Sequence, residues 1–136
     1  MKKFELIEHT SDIGLAAYGK TLAGAFANAA YGMFSIIAEL ENVKEDEKRR
    51  IEVSGDDIEG LLFEWLNSLL YYFDVETLLF KRFDIIEFED TRLVAECRGE
   101  KYDSSRHRLK TGVKSATYHL MEVDRRKKRV RVIFDI

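Results

Sequence analysis

The chain has 136 residues, 46% of them hydrophobic, 12% aromatic and 35% charged, which is enough apolar material for one self-supporting domain and too little length for two unrelated ones. Its 22 basic and 25 acidic residues leave a net charge of -3, so the strongly basic balance of a dedicated nucleic-acid binder is excluded. One cysteine, Cys97, rules out an intrachain disulfide framework and a four-cysteine zinc site, and the absence of proline excludes a Pro-rich linker.

Taken in chain order, Met1, Lys2 and Lys3 imitate the start of a signal peptide, but Glu5 and Glu8 interrupt any apolar core, so no export is expected. The lone thiol fits a reducing compartment, and the expected localisation is cytoplasmic. Phe4 to Glu8 and Ile13 to Tyr18 read as two short strands around a polar turn, His9 to Asp12. Thr21 then caps a helix in which Leu22, Phe26, Ala29, Met33 and Ile37 recur at helical spacing. The stretch from Thr21 to Ala38 carries no charge, but its alanines with Gly24, Asn28, Gly32 and Ser35 keep it too weakly apolar for a membrane span. It reads instead as a helix buried in the fold.

A polar segment, Glu39 to Arg50, leads into a brief strand over Ile51 to Val53. Asp56 and Glu59 then resemble a capping box that opens the clearest element of the chain. Its apolar face is formed by Ile58, Leu61, Leu62, Trp65, Leu66, Leu69, Leu70 and Phe73, while Phe63, Tyr71 and Tyr72 fall off that face. From there the sequence turns to strands, over Leu78 to Phe88, Arg92 to Cys97, Val113 to Val123 and Val130 to Asp135. Asp90-Thr91 and the run Asp124 to Lys128 supply hairpin turns. Because strands and helices do not alternate strictly, the predicted class is α+β, with two main helices packed on a mostly antiparallel sheet in a single domain over residues 1–136.

Three clusters carry residues capable of chemistry. In His9-Thr10-Ser11-Asp12-Ile13-Gly14, a carboxylate sits in a tight polar turn, where it either braces the turn or presents oxygen to a cation. At the far end, Asp135 adjoins the last residue, Ile136, after an anchored strand. If Asp12 comes alongside, these groups make an all-oxygen cluster suited to Ca²⁺ or Mg²⁺; otherwise the end is a solvated terminus. The third comprises Gly99-Glu100, His107 and Gly112 to His119, in which Lys114, Ala116 and Tyr118 would share one strand face. Lys114 is then either a surface amine or a positive group aimed at the carboxylates. Neither GxGxxG nor GxxxxGK occurs, and no nucleophile elbow accompanies Ser104, Ser105 or Cys97.

These residues resemble the archease family. The likeness is carried by His9 to Gly14, by Thr21-Leu22 with Ala25-Phe26 and Ala29-Ala30, and by Leu61-Leu62 with Trp65 to Tyr71. It continues through Gly99-Glu100, His107, Val113 to His119 and the ending Asp135-Ile136, in family order along almost the whole chain. The resemblance implies a non-catalytic accessory protein of the RtcB-type RNA ligase in tRNA splicing, one that promotes guanylylation of the ligase and multiple turnover and broadens its nucleotide use. It also implies metal-binding carboxylates at Asp12 and Asp135, completed by the terminal carboxylate or backbone of Ile136 with calcium as the ion, and a functional lysine at Lys114. Ser11 and Ser115 stand where the family commonly has alanine, and Ala23-Gly24 where it often has two acidic residues.

Two other functions follow from the residues. Residues 1–100 carry a net charge of -10 and residues 101–136 a net charge of +7, so a basic region over 101–131, with Arg125-Arg126-Lys127-Lys128-Arg129 at its heart, is a candidate RNA-binding module. The same run also suits a solvated hairpin tip, and no interleaved aromatics mark single-strand stacking. A metal-dependent hydrolase built on His9, Asp12 and His119 lacks a recognised ligand spacing.

Overall fold

The computed structural model describes residues 2–9 and 11–136. Strands β1 (Phe4–His9) and β2 (Asp12–Tyr18) form an antiparallel hairpin, in register from Phe4 opposite Ala17 to His9 opposite Asp12. The connection is therefore two residues long. Ser11 has a φ of 65°, the left-handed backbone that such short hairpin turns require, and Thr10 lies outside the described residues. Asp12 is in consequence the first residue of its strand.

Helix α1 (Leu22–Ile37) is capped as the sequence predicts, with the Thr21 hydroxyl accepting the Gly24 N–H at 3.0 Å. Ala25, Phe26, Ala29, Ala30, Met33, Phe34, Ile36 and Ile37 are all buried, so more than one stripe of this helix is covered. The reason is its position between β2 on one side and the later strand β4 (Leu78–Glu89) on the other. Gly32 permits the close approach: a Cβ there would lie 2.5 Å from the Leu15 side chain and 3.0 Å from the Phe4 ring. Among the described residues no helix is long and apolar enough to cross a membrane.

Strand β3 (Glu47–Ser54) begins four residues before the expected Ile51. Its first half is charged because β3 is a sheet edge, where every second side chain meets water. Helix α2 (Ile58–Glu76) starts one residue later than the proposed capping box. Asp57, not Asp56, is the cap, and its carboxylate accepts the Gly60 N–H at 2.7 Å. The predicted apolar face is otherwise the buried one from Ile58 through Leu70, with Phe73 at its margin. The Trp65 indole N–H donates to the Phe26 carbonyl at 3.0 Å, joining the two helices.

Strand β5 (Arg92–Lys101) continues four residues past the expected end at Cys97. Gly99 makes the extension possible, since a Cβ there would stand 1.8 Å from the Leu79 carbonyl oxygen of β4. Strands β6 (Ser115–Asp124) and β7 (Arg129–Asp135) form the final hairpin over the predicted turn, with Lys128 at a φ of 52°.

The α+β class and the antiparallel pairing are as predicted, but the strands divide into two sheets. One has the order β1-β2-β7-β6 and the other β3-β5-β4. Both helices pack between them, α2 against β6 and β3 in particular. Leu15 and Ala17 of β2, Val130, Val132 and Phe134 of β7, and Ala116 of β6 supply the core face of the four-stranded sheet. By strand alternation, Asp12 and Asp135 belong to the opposite, outer face.

Candidate functional site

Long-range pairing of β2 with β7 brings the two ends of the chain together. Asp12 lies directly opposite Asp135, and on the other side of β7 Asp135 lies opposite Ser115. Directly opposed residues of antiparallel strands share a face, at roughly 4.5–5.5 Å between Cα atoms. The two carboxylates and the Ser115 hydroxyl consequently form one row across three strands. Asp12 and Ser115 are half-buried and Asp135 is exposed, an arrangement open to solvent on the outer face.

Lys114 immediately precedes β6. Its backbone N–H donates to the Asp135 carbonyl at 2.8 Å while its side chain is exposed, so the lysine adjoins the row. Ile136 follows Asp135 and is 36% exposed. Each of the four residues chosen from sequence, Asp12, Lys114, Asp135 and Ile136, thus belongs to one end of the four-stranded sheet. Among the described residues, no three His, Cys, Asp or Glu side chains converge as a metal cage. The donor set is two side-chain carboxylates and a hydroxyl, all oxygen, which is chemistry fit for a hard cation and not for zinc.

The row owes its shape to residues without an obvious sequence signal. Asn67 on α2 brackets Ala116 with its side-chain amide: the Ala116 N–H donates to Oδ1 at 2.8 Å and Nδ2 donates to the Ala116 carbonyl at 3.3 Å. This amide occupies the position of a neighbouring strand and fixes β6 one residue from Ser115. Thr117 ties the next residue to β7 by donating its hydroxyl to the Ile133 carbonyl at 2.8 Å. For Asn67 the sequence offers a lone amide between Leu66 and Leu69 on a largely apolar helix, inside the segment Trp65 to Tyr71 that carries the family resemblance.

Other expected site residues separate from the row. Ala116 and Tyr118 turn toward α2, where the Tyr118 ring stacks on Phe63 at 4.1 Å and 6°, while a break in register between Thr117 and Glu122, with Leu120 at a φ of 54°, ends simple alternation. His119 is exposed, and the side chain of His9 is outside what the structure describes. Cys97 is fully buried, and that burial pushes its thiol far above the ordinary range, so it is no nucleophile. Glu100 and His107 form a separate buried pair, with Nε2 to Oε1 at 2.5 Å. Burial opposes ionisation of Glu100, but hydrogen bonds from Arg106, the Lys44 N–H and His107 outweigh it and hold the carboxyl at about 2.

The basic run occupies the opposite end of the sheet. The seven residues of β7, at ~3.4 Å per residue, set the tip about 20 Å from Asp135. Arg125 pairs with Asp90 at 3.0 Å, and Arg129 pairs with Glu122 at 2.7 Å and Asp124 at 3.6 Å. Two of its five charges are therefore compensated within the fold, as at a solvated hairpin tip.

Comparison with known proteins adds to this geometry. The model of the Archease protein family (MTH1598/TM1083) matches residues 4–136. The protein archease of Sulfurisphaera tokodaii is 42% identical over 125 residues, covering 91% of this chain and 90% of the relative. That of Pyrococcus abyssi is 40% identical over 129 residues, covering 92% and 90%. The solution structure of protein 1598 of Methanobacterium thermoautotrophicum superposes with a TM-score of 0.80 at 33% identity over the whole of both chains. A crystal structure from Thermotoga maritima, described as an archease and possible chaperone, shares the fold with a TM-score of 0.61 at 20% identity over 96% of this chain and 94% of that one.

Proposed function

This chain belongs to the archease family, and on that premise we propose that it is an accessory factor in tRNA splicing that activates an RtcB-type RNA ligase. It promotes guanylylation of the ligase, so that the ligase turns over repeatedly, and widens the nucleotides the ligase accepts. What supports the reading is one observation: Asp12 and Asp135 are register partners, with Ser115 in the same row and Lys114 beside it. Their presentation on an exposed sheet end suits delivery to a partner's active site.

Asp12, Asp135 and Ile136, the last through its backbone, would hold Ca²⁺, with Mg²⁺ the second choice for such an oxygen set. Such an ion supplies positive charge for phosphate oxygens at the partner's nucleotide site. The chain's own residues do the positioning. Strand pairing fixes both carboxylates, and the exposed Lys114 ammonium reaches toward a phosphate oxygen of the guanylate, countering charge that develops there. The chain breaks no bond itself and meets RNA only through the ligase, in the cytoplasm. Direct RNA binding by 101–131 is the weaker reading, because Arg125 and Arg129 are already paired with acidic residues. Repeated turnover of a cognate ligase, measured with Asp12→Ala and Asp135→Ala proteins, tests the proposal. Stimulation falls to the level of ligase alone; unchanged stimulation by both variants refutes it.

A further inference from the structure

Residues 102–114 run from the end of β5 to the start of β6 without forming a strand or helix of their own. Irregular segments of about a dozen residues are uncommon in small domains unless function retains them. Apolar burial does little to hold this one, since His107 and Val113 are its only buried residues. Polar contacts at its head take that role. Glu100, the penultimate residue of β5, is 7% exposed and receives three groups. Arg106 pairs with Oε2 at 2.7 Å, while Oε1 accepts the Lys44 N–H at 3.1 Å and lies 2.5 Å from His107 Nε2. On the other side of the ring, His107 Nδ1 accepts the Asp103 N–H at 2.9 Å. That nitrogen therefore carries no proton, and Nε2–H is the donor to Glu100.

Downstream of this knot the segment is strapped across the C-terminal end of α1. The Glu39 N–H donates to the Arg108 carbonyl at 3.0 Å, and the N–H groups of Lys110 and Thr111 donate to the Ile37 and Ile36 carbonyls at 2.7 and 3.2 Å. These carbonyls are among those a helix end leaves without internal partners. Gly112 follows in open space, with nothing within 4 Å of where a Cβ would stand. Val113 is buried, and the Lys114 N–H then closes on the Asp135 carbonyl.

We propose that the Glu100, Arg106 and His107 cluster is the positioning device for Lys114. It locks the head of the strap, and the strap's bonds to α1 and β7 carry that fixity to the edge of the carboxylate row. The three are positioning residues, about one strap length from the lysine they act through. The inference rests on the functional reading above only in assigning Lys114 a task; the mechanical coupling stands on these contacts alone. Without the knot, each downstream hydrogen bond is left to hold the strap individually, and the segment opens below the threshold of global unfolding.

The test uses Arg106→Gln, since Arg106 is 38% exposed in its side chain and its loss spares the core, whereas Glu100→Ala risks the fold. Amide hydrogen exchange is followed residue by residue, alongside stimulation of a cognate ligase, with Arg106→Lys as the conservative rescue and Lys114→Ala as the reference. Arg106→Gln keeps the thermal midpoint within a few degrees, yet exchange at Lys110, Thr111 and Lys114 accelerates by about tenfold. Stimulation drops toward that of Lys114→Ala, and Arg106→Lys restores both. Unchanged exchange at Lys114 overturns the proposal, as does accelerated exchange with full stimulation while Lys114→Ala abolishes it. If Lys114→Ala itself stimulates normally, the functional reading of Lys114 fails and the exchange result alone decides the coupling.

Discussion

Replacing Asn67 by alanine removes the amide bracket on Ala116 and should loosen the start of β6. Two hydrogen bonds are lost, each worth ~1 kcal/mol net. Ala116 is 2% exposed, so its N–H and carbonyl are left without partners until water enters, at a further cost of up to ~2 kcal/mol. The sum is about 2–4 kcal/mol. Unfolding entropy of ~2.1 cal/mol/K per residue over 136 residues turns this into a fall in Tm of about 7–14 °C. Urea unfolding of the wild type, Asn67→Ala and Asn67→Leu gives the comparison. Leucine fills the same space without a polar atom, so it loses at least as much as alanine if the bracket matters. An Asn67→Leu protein within ~0.5 kcal/mol of wild type would refute the reasoning, because packing would then be the residue's whole contribution.

Two further perturbations follow from the same contacts. Gly99→Ala drives a Cβ against the Leu79 carbonyl at 1.8 Å, a backbone clash that no rotamer relieves, and should cost about 3 kcal/mol or more in urea unfolding. Gly112→Ala meets nothing within 4 Å and has no positive φ, so it should be neutral or stabilise by up to ~1 kcal/mol; the reverse order would contradict the packing described. Acid sensitivity should report on Glu100, whose carboxyl is held at about 2 against an ordinary 4.5. A depressed pKa contributes stability that is complete above about 4.5 and disappears as pH falls toward 2. The stability gap between wild type and Glu100→Gln should therefore narrow across that window, and a gap that widens there would be the contrary result.

Much of this molecule is legible in its sequence wherever one-sided burial imposes a period. The α2 face from Ile58 to Leu70 predicts its buried side. The adjacent aspartates at 56 and 57 blurred the cap by one residue: Glu59, three residues after Asp56, pointed to that position, whereas Asp57 has the extended backbone of a cap and its carboxylate accepts the Gly60 N–H. The charged start of β3 hid a strand because its partners are tertiary: Lys48 meets Glu96 and Arg49 meets Glu76. The division into two sheets was equally out of reach, as nothing local distinguishes β7 pairing with β2 from β7 pairing with β5.

The site shows the same boundary. Asp12 was identifiable as a carboxylate in a polar turn and Asp135 as one at the end of an anchored strand, but their register depends on a pairing between the first and last hairpins. Family resemblance supplied that link before the fold did. Asn67, Ser115, Glu100 and His107 lie within the segments that carry the resemblance, but their contacts were not legible, because a bond to a backbone group or a buried partner is not revealed by sequence spacing.

The central claim is that the carboxylate row promotes guanylylation of the ligase. Its most direct measurement is covalent guanylate on a purified RtcB-type ligase incubated with GTP and substoichiometric amounts of this chain. The wild-type chain should raise labelling well above that of ligase alone, and folded Asp12→Ala and Asp135→Ala chains should leave it at the unassisted level. Labelling raised equally by all three would contradict the account.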